Sequence, residues 1–232
     1  MKTKIFGIGG CGNKIVDYLI REGVDSSLFV AINTDAGALK YNLSPKKMAI
    51  GLKFNRGLSA GRWVSIGRKA SIESRDDILK ELSGVELLII SAGMGGGAGG
   101  GAAPVIIADA EQLGIFTMAV VTAPFKFEGA KVREIAERSI AELYKSADIS
   151  VIISNEKIFR QMQAEAKIAG EKCDTLTSFE KMDEVAGQVI KDILAKCKGG
   201  INSEKLSAYL FSGTPSAVIA VHLSKEGRLC VN

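Results

Sequence analysis

The chain has 232 residues, of which 47% are hydrophobic and 24% are charged, a composition typical of a globular protein with a substantial core. The formal net charge is +4, charges of both signs are interspersed, and no Lys/Arg block or aromatic–basic interleaving predicts a nucleic-acid partner. No apolar stretch reaches the roughly 18 residues that span a bilayer, and no signal-peptide pattern opens the chain. We therefore expect a cytoplasmic protein without direct membrane insertion.

Cysteine and histidine are too sparse for several kinds of chemistry. Cys11, Cys173, Cys197 and Cys230 include no CxxC pair, and His222 is the only histidine. A metal site, a disulfide framework and triad hydrolysis are all disfavoured.

Short apolar runs alternate with helical patterns along most of the chain, which predicts an α/β fold. The expected architecture is a doubly wound, mostly parallel sheet with helices on both faces. The predicted strands are Lys4–Ile8, Leu28–Ile32, Lys47–Ile50, Leu87–Ile90, Phe116–Val121, Ile149–Ile153 and Ala217–Leu223. The predicted helical stretches are Asn13–Glu22, Ala60–Leu82, Ala102–Leu113, Val132–Lys145 and Lys157–Thr177, the last with a loop around 170–174.

Two glycine-rich segments follow predicted strands, one at 7–12 and a longer one at 93–104. Consecutive glycines can adopt positive φ and let several backbone N–H groups converge on one anion, and a following helix adds its positive end. In a doubly wound sheet both segments lie at the carboxyl edge, near the switch point in strand order. This edge is predicted to bind phosphate, and a flexible linker is the disfavoured alternative.

The residues alone leave the kind of nucleotide open. Gly7-x-Gly9-x-x-Gly12 satisfies the dinucleotide fingerprint, with Asp35 at the end of the second strand. The same segment nearly spells a Walker A loop, but Asn13 stands at the lysine position and Lys14 comes one residue late. Two glycine loops on one edge favour a triphosphate, and an NAD-binding Rossmann enzyme is the remote alternative.

The C-terminal part of the chain predicts how the chain is divided into domains. A long helix over Ser178–Lys198 is closed by Gly199 and Gly200, and the residues after it are too few for an independent second domain. The expected parts are a nucleotide-binding domain at 1–177, a central helix at 178–200 and a short C-terminal remnant at 201–232.

Five motifs occur together in order, and their combination resembles FtsZ of the tubulin superfamily over roughly residues 4–202. They are GIGGCGN at 7–13, NTDA at 33–36, RGLSAG at 56–61 with IGR at 66–68, AGMGGG at 92–97, and VTAPF at 121–125 with FEG at 127–129. The resemblance implies GTP or GDP as the ligand, with Mg²⁺ held by its phosphates. It also implies phosphate contacts from two groups of residues, which are Gly9, Gly10 and Gly12 with the adjoining Asn13, and Gly95, Gly96, Gly97, Ala98 and Gly99.

The same resemblance implies residues for the sugar and the base. Glu128 would hydrogen-bond the ribose, Asn155 would lie near the sugar and base, and Phe179 would stack on guanine. Glu184 would read the guanine edge, since a carboxylate accepts from both the N1–H and the N2 amino group.

The chain departs from the family pattern at two places. Ala98 and Gly100 replace two threonines of the central glycine loop, a loss of hydroxyl donors that could weaken GTP binding by about one to three orders of magnitude. In the family, one segment supplies two acids to the nucleotide of the neighbouring subunit. The corresponding segment of this chain keeps Asn202 but has Glu204 in place of the first acid and Ser207 in place of the second.

Two functions follow from the resemblance. The first is a filament-forming cytoskeletal GTPase, serving cell division or a related task, that assembles head to tail and hydrolyses GTP slowly with Glu204 and Asn202 acting in trans. The second is a GTP-binding but non-hydrolysing structural or regulatory filament component, which self-associates or co-assembles with a related filament protein.

Overall fold

The computed structural model describes residues 1–170, 174–201, 206, 208–210, 215 and 217–223. A seven-stranded sheet forms their centre, with strand order β3-β2-β1-β4-β5-β6-β7. The strands are β1 (Thr3–Ile8), β2 (Phe29–Asn33), β3 (Lys46–Ala49), β4 (Leu87–Gly93), β5 (Phe116–Ala123), β6 (Ile149–Ser154) and β7 (Val218–Leu223). All pairings are parallel except that of β6 with β7. The predicted mostly parallel sheet is confirmed.

Helices cover both faces of the sheet. They are α1 (Gly9–Arg21), α2 (Ala36–Leu39), α3 (Leu52–Asn55), α4 (Val64–Glu73), α5 (Arg75–Leu82), α6 (Gly97–Gln112), α7 (Ala130–Ser146), α8 (Asn155–Ala169) and α9 (Thr175–Cys197). One apolar core joins the sheet to α4–α7, and a second joins its other face to α1, α8 and α9. Burial on both faces explains why central strands such as β2 and β6 are buried at every position.

Two helices begin earlier than the sequence predicts, because glycine is locally a loop signal. Helix α1 begins at Gly9 rather than Asn13, and α6 begins at Gly97 rather than Ala102. A Cβ at Gly12 would lie 2.1 Å from the Ser91 carbonyl oxygen, so glycine lets α1 approach β4 closely. Eight of the twelve residues of the long glycine-rich segment, 97–104, are therefore helix.

The predicted helical stretch Ala60–Leu82 is wrong at both its start and its middle. Helix α4 starts at Val64, and Ser74 separates it from α5. The Ser74 hydroxyl accepts a hydrogen bond from Gly51 N (3.0 Å), and Asp76 and Asp77 occupy the first turn of α5, where negative charge is favoured. These polar interactions end one helix and begin the next.

The C-terminal elements join the same fold as the rest. Helix α9 starts with the Asp174 side chain accepting from Thr177 N (2.8 Å), and it packs against α1 in the second core. A Cβ at Gly187 would lie 2.3 Å from the Tyr18 ring, so glycine allows this close packing. No helix among the described residues is long and apolar enough to cross a membrane.

The strand order places the switch point between β1 and β4. Helix α1 follows β1 onto one face of the sheet, and α6 follows β4 onto the other. The crevice between these two connections is where a doubly wound sheet binds ligands.

Candidate nucleotide-binding site

Two helix N-termini meet at the switch point. Helix α1 begins directly after β1 at Gly9, whose φ is +71°, and the turn between β4 and α6 contains Gly95 at φ +111°. The first N–H groups of a helix lack intrahelical acceptors, so helix N-termini attract anions. A cavity of about 580 Å³ lies between the two connections. Its position and backbone donors suit a phosphate chain.

The glycines around this cavity have different roles. A Cβ at Gly10 or Gly96 would meet no atom within 4 Å, so both positions leave open space. A Cβ at Gly99 would instead lie 2.6 Å from the Gly93 carbonyl oxygen, and the Gly97 N–H already donates to the Gly61 carbonyl oxygen (2.7 Å). Gly10 and Gly96 thus face the cavity freely, whereas Gly97 and Gly99 also hold neighbouring segments together.

Glu128, Asn155 and Phe179 lie at the same cavity as the glycines. Glu128 Oε1 accepts a hydrogen bond from Phe125 N (2.9 Å), which fixes the carboxylate. Asn155 is the first residue of α8, and its Oδ1 is buried without a hydrogen-bond partner among the described residues. The Phe179 ring packs edge-on against Phe125, with centroids 4.9 Å apart. A buried acceptor without a partner is costly, which fits a site that a ligand completes.

Two adjacent acids of α9 lie in different surroundings. Glu184 lines a neighbouring cavity of about 610 Å³ and forms an ion pair with Lys181 (2.7 Å). Asp183, at the same neighbouring cavity, is only 9% exposed, and its Oδ1 has no partner among the described residues. Burial raises the pKa of the Asp183 carboxyl to about 7, although the nearby Lys14 ammonium opposes the rise. Asp183 is therefore the acid with unsatisfied hydrogen-bonding capacity.

Sequence reasoning passed over Asp183, although a signal was present. Asp183 follows Phe179 by four residues, so both lie on the same face of α9. Lys14, which comes one residue late for a Walker lysine, lines both cavities, as Phe179 does. Asp35 also lines the cavity at the switch point, and its carboxylate caps α2 by accepting from Ala38 N (2.9 Å).

The predicted site residues fall into three groups. Those at the cavity at the switch point are Gly9, Gly10, Gly95, Gly96, Gly97, Ala98, Gly99, Glu128, Asn155 and Phe179. Gly12 and Asn13 are buried within α1, and Glu184 lies at the neighbouring cavity. Asn202 and Glu204, predicted to act in catalysis, lie outside the described residues. Within the described part of the chain no group of three or more His, Cys, Asp or Glu side chains could hold a metal ion.

Comparison with known proteins identifies the family. Residues 2–163 match the Tubulin/FtsZ family, GTPase domain. The chain is 38% identical over 201 residues to the cell division protein FtsZ of Pseudomonas aeruginosa and 37% identical to that of Pseudomonas putida, alignments that cover 86% of the chain and 49% of each relative.

Solved structures agree in fold. The structure titled "FtsZ dimer, empty" from M. jannaschii superposes with a TM-score of 0.80 at 32% identity, covering 90% of this chain and 60% of that one. The GTPgS-bound protofilament of CetZ2 from Haloferax volcanii gives a TM-score of 0.74 at 22% identity, over 90% of this chain and 62% of that one, a likeness of fold alone.

The sheet order, the paired glycine segments and the family match define a GTPase domain of the tubulin type. The chain belongs to the Tubulin/FtsZ family. It spans about half the length of the curated relatives it matches.

Proposed function

We propose that this protein binds a guanine nucleotide, GTP or GDP, in the cavity at the switch point, with the phosphates between the N-termini of α1 and α6. The observation that carries the proposal is the pairing of two helix N-termini at the switch point, each with a glycine, Gly10 or Gly96, that leaves open space toward the cavity. Mg²⁺ would accompany the nucleotide on its phosphates.

The base would be recognised from α9 and α8, where Phe179 lines both cavities and Asp183 lies at the neighbouring one. Asp183 suits the guanine N1–H and N2 donors better than Glu184, because Asp183 is buried with an unpartnered oxygen whereas Glu184 is paired with Lys181. Asn155 supplies a second unpartnered acceptor, and Phe179 offers a ring for stacking. Glu128 is placed to contact the ribose.

We propose further that GTP is hydrolysed slowly and only after self-association. In this scheme chains assemble head to tail, and Asn202 and Glu204 of one chain act on the nucleotide of the next. The FtsZ dimer from M. jannaschii, 32% identical to this chain, supports self-association. A cytoskeletal filament, active in cell division or a related process, is the corresponding cellular role.

A second function is favoured by the residues at the phosphate end. Ala98 presents a methyl group to the cavity where a hydroxyl would donate to phosphate. A side chain at Gly100 would instead meet the buried Ser139 hydroxyl, so that substitution does not alter the phosphate contacts. A weaker hold on the triphosphate suits a protein that binds GTP without hydrolysing it and co-assembles with a related filament protein.

Phosphate release from GTP, measured across protein concentration, separates these functions. We expect specific activity to rise with concentration and to be lost in Glu204→Ala, because the acid acts on a neighbouring chain. The control is GTP binding by Glu204→Ala, which should match the parent. Negligible release at every concentration with intact GTP binding would select the non-hydrolysing function instead.

A further inference from the structure

One stretch departs from the interspersed charge pattern of the chain. Residues 36–72 contain eight Lys or Arg residues and no Asp or Glu. The same stretch holds seven of the eleven large hydrophobic side chains that are exposed among the described residues. Exposed apolar side chains are normally scattered, so this concentration marks an interaction surface.

The fold brings part of this stretch together on one side of α4. Helix α3 lies beside the C-terminal end of α4, because the Glu73 carboxylate accepts hydrogen bonds from Lys53 N (2.9 Å) and Phe54 N (2.8 Å). The Lys69 ammonium lies 5.5 Å from the centre of the Phe54 ring. Ile72 is 56% exposed and three residues after Lys69, on the same face of α4.

Tight turns expose the loop between α3 and α4. Arg56 (φ +54°), Gly57 (φ +73°) and Gly61 (φ +53°) are all left-handed, and Arg56 is the one non-glycine residue with positive φ in the described part of the chain. Leu58, between these turns, is 64% exposed. Trp63, the only tryptophan of the chain, is 67% exposed, with the Lys131 ammonium 6.0 Å from the centre of its ring.

We call these side chains the basic–apolar surface. Its apolar members are Leu52, Phe54, Leu58, Trp63 and Ile72, and its cations are Lys53, Arg56, Arg62, Lys69 and Lys131. None of the five cations forms a salt bridge with another described residue, and the adjacent Glu73 carboxylate is occupied by backbone N–H groups. The surface is therefore both apolar and strongly positive.

We propose that the basic–apolar surface binds the headgroup region of an anionic lipid bilayer. Phe54, Leu58 and Trp63 would enter the interface while the surrounding cations face lipid phosphates, the arrangement that interfacial binding favours. Charge complementarity favours an anionic bilayer, because five cations without an ion pair among the described residues surround the apolar side chains. This inference does not depend on nucleotide binding.

Vesicle flotation without nucleotide tests the inference. The full chain is mixed with vesicles of phosphatidylcholine alone, or of phosphatidylcholine with phosphatidylglycerol, at low and high salt. We expect flotation only with the anionic vesicles, less of it at high salt, and a blue shift of Trp63 emission on binding. Absence of flotation with anionic vesicles at low salt would overturn the proposal.

Two variants and two matched controls identify the surface. Phe54→Ser combined with Trp63→Ser, and separately Lys69→Glu, should each reduce flotation several-fold. Ile168→Ser and Lys157→Glu change an exposed apolar and an exposed basic residue of α8 and should float like the parent. Equal thermal midpoints would show that all four variants are folded.

Three other results of these experiments would also overturn the proposal. Unchanged flotation of the Phe54→Ser/Trp63→Ser variant would overturn the proposal, since charge alone would then explain binding. Binding to duplex DNA that Lys69→Glu abolishes and Phe54→Ser/Trp63→Ser leaves intact, without anionic-vesicle binding, would assign the surface to nucleic acid. Loss of binding in the α8 controls would place the lipid contact elsewhere.

Discussion

At the scale of single residues, Asp183 is the most informative side chain of the site. It is buried on α9 with one oxygen lacking a described partner, and its pKa is raised to about 7 because burial disfavours the charged carboxylate. Asp17 and Glu180 add to the rise, and Lys14 opposes it. A group that titrates near neutrality makes both binding and stability depend on pH.

We expect GTP affinity to fall as the pH drops below about 7, because the protonated Asp183 loses its capacity to accept from guanine. Asp183→Asn should weaken GTP binding by about tenfold or more and flatten this dependence. Glu184→Gln is the matched control, since Glu184 is already paired with Lys181. Titration calorimetry at several pH values measures both, and a larger loss in Glu184→Gln would return the guanine-reading role to Glu184.

Without nucleotide, Asp183 has the opposite effect on stability: its contribution to the free energy of unfolding falls as the pH rises. The folded protein holds the Asp183 proton more tightly than the unfolded chain, whose pKa is near the ordinary 3.8. The contribution of this group to the free energy of unfolding is therefore full below pH 3.8 and is lost as the pH rises to about 7. Denaturant unfolding of the parent and of Asp183→Asn should show this decrease only in the parent, and parallel pH profiles would contradict the account.

Ala98 and Gly100 offer a residue-scale test of the phosphate end. Ala98 lines the cavity, so Ala98→Thr adds a hydroxyl there and should tighten GTP binding by about two- to tenfold. A Cβ at Gly100 would lie 2.7 Å from the buried Ser139 hydroxyl, so Gly100→Thr should instead lower the free energy of unfolding by about 1–3 kcal/mol. Calorimetry and denaturant unfolding distinguish the two effects, and equal effects of both changes would contradict these roles.

At the scale of elements, the glycines determine how closely α1 and α6 approach their neighbours. Gly12 has no room for a Cβ against the Ser91 carbonyl oxygen, and a Cβ at Gly101 would lie 2.3 Å from the Val64 carbonyl oxygen. Gly10, two residues before Gly12 on the same helix, has open space. The same residue type therefore serves packing at one position and ligand access at another.

This difference predicts opposite results for two alanine variants of α1. Gly12→Ala should lower the free energy of unfolding by about 1–3 kcal/mol, because the helix must move away from β4. Gly10→Ala should leave stability unchanged or raise it by up to about 1 kcal/mol, while weakening GTP binding because its methyl group enters the cavity. Denaturant unfolding and calorimetry check both predictions. A Gly10→Ala variant that binds GTP like the parent would exclude the α1 end of the cavity as part of the nucleotide site.

Much of this architecture could be predicted from sequence, and the misses have physical causes. The strands were predictable because burial on both faces makes them continuous apolar runs, as in β4. The starts of α1 and α6 were missed because glycine signals loops locally, whereas close contact with a neighbouring element demands it in a helix. Asp183 was missed because only the fold shows which of two adjacent acids is buried. Residues 59–62 also line the cavity. Their place there could not be predicted, because it depends on tertiary contacts that local sequence patterns do not contain.

At the scale of the whole molecule, the nucleotide site and the basic–apolar surface adjoin. Ser59 to Arg62 line the cavity at the switch point, and the exposed Leu58 and Trp63 flank that loop on either side. Any contact at the cavity mouth, by another chain or by lipid, would therefore involve residues next to the phosphate end. Assembly and nucleotide state are expected to influence one another through this loop.

Selectivity of the apoprotein among GTP, ATP and NAD, measured by titration calorimetry, tests the central claim most directly. The account predicts binding of GTP and GDP, with ATP at least about tenfold weaker because adenine has an acceptor where guanine has the N1–H donor. It also predicts no tight binding of NAD. Tight NAD binding without GTP binding would contradict the assignment and restore the dinucleotide interpretation of Gly7-x-Gly9-x-x-Gly12.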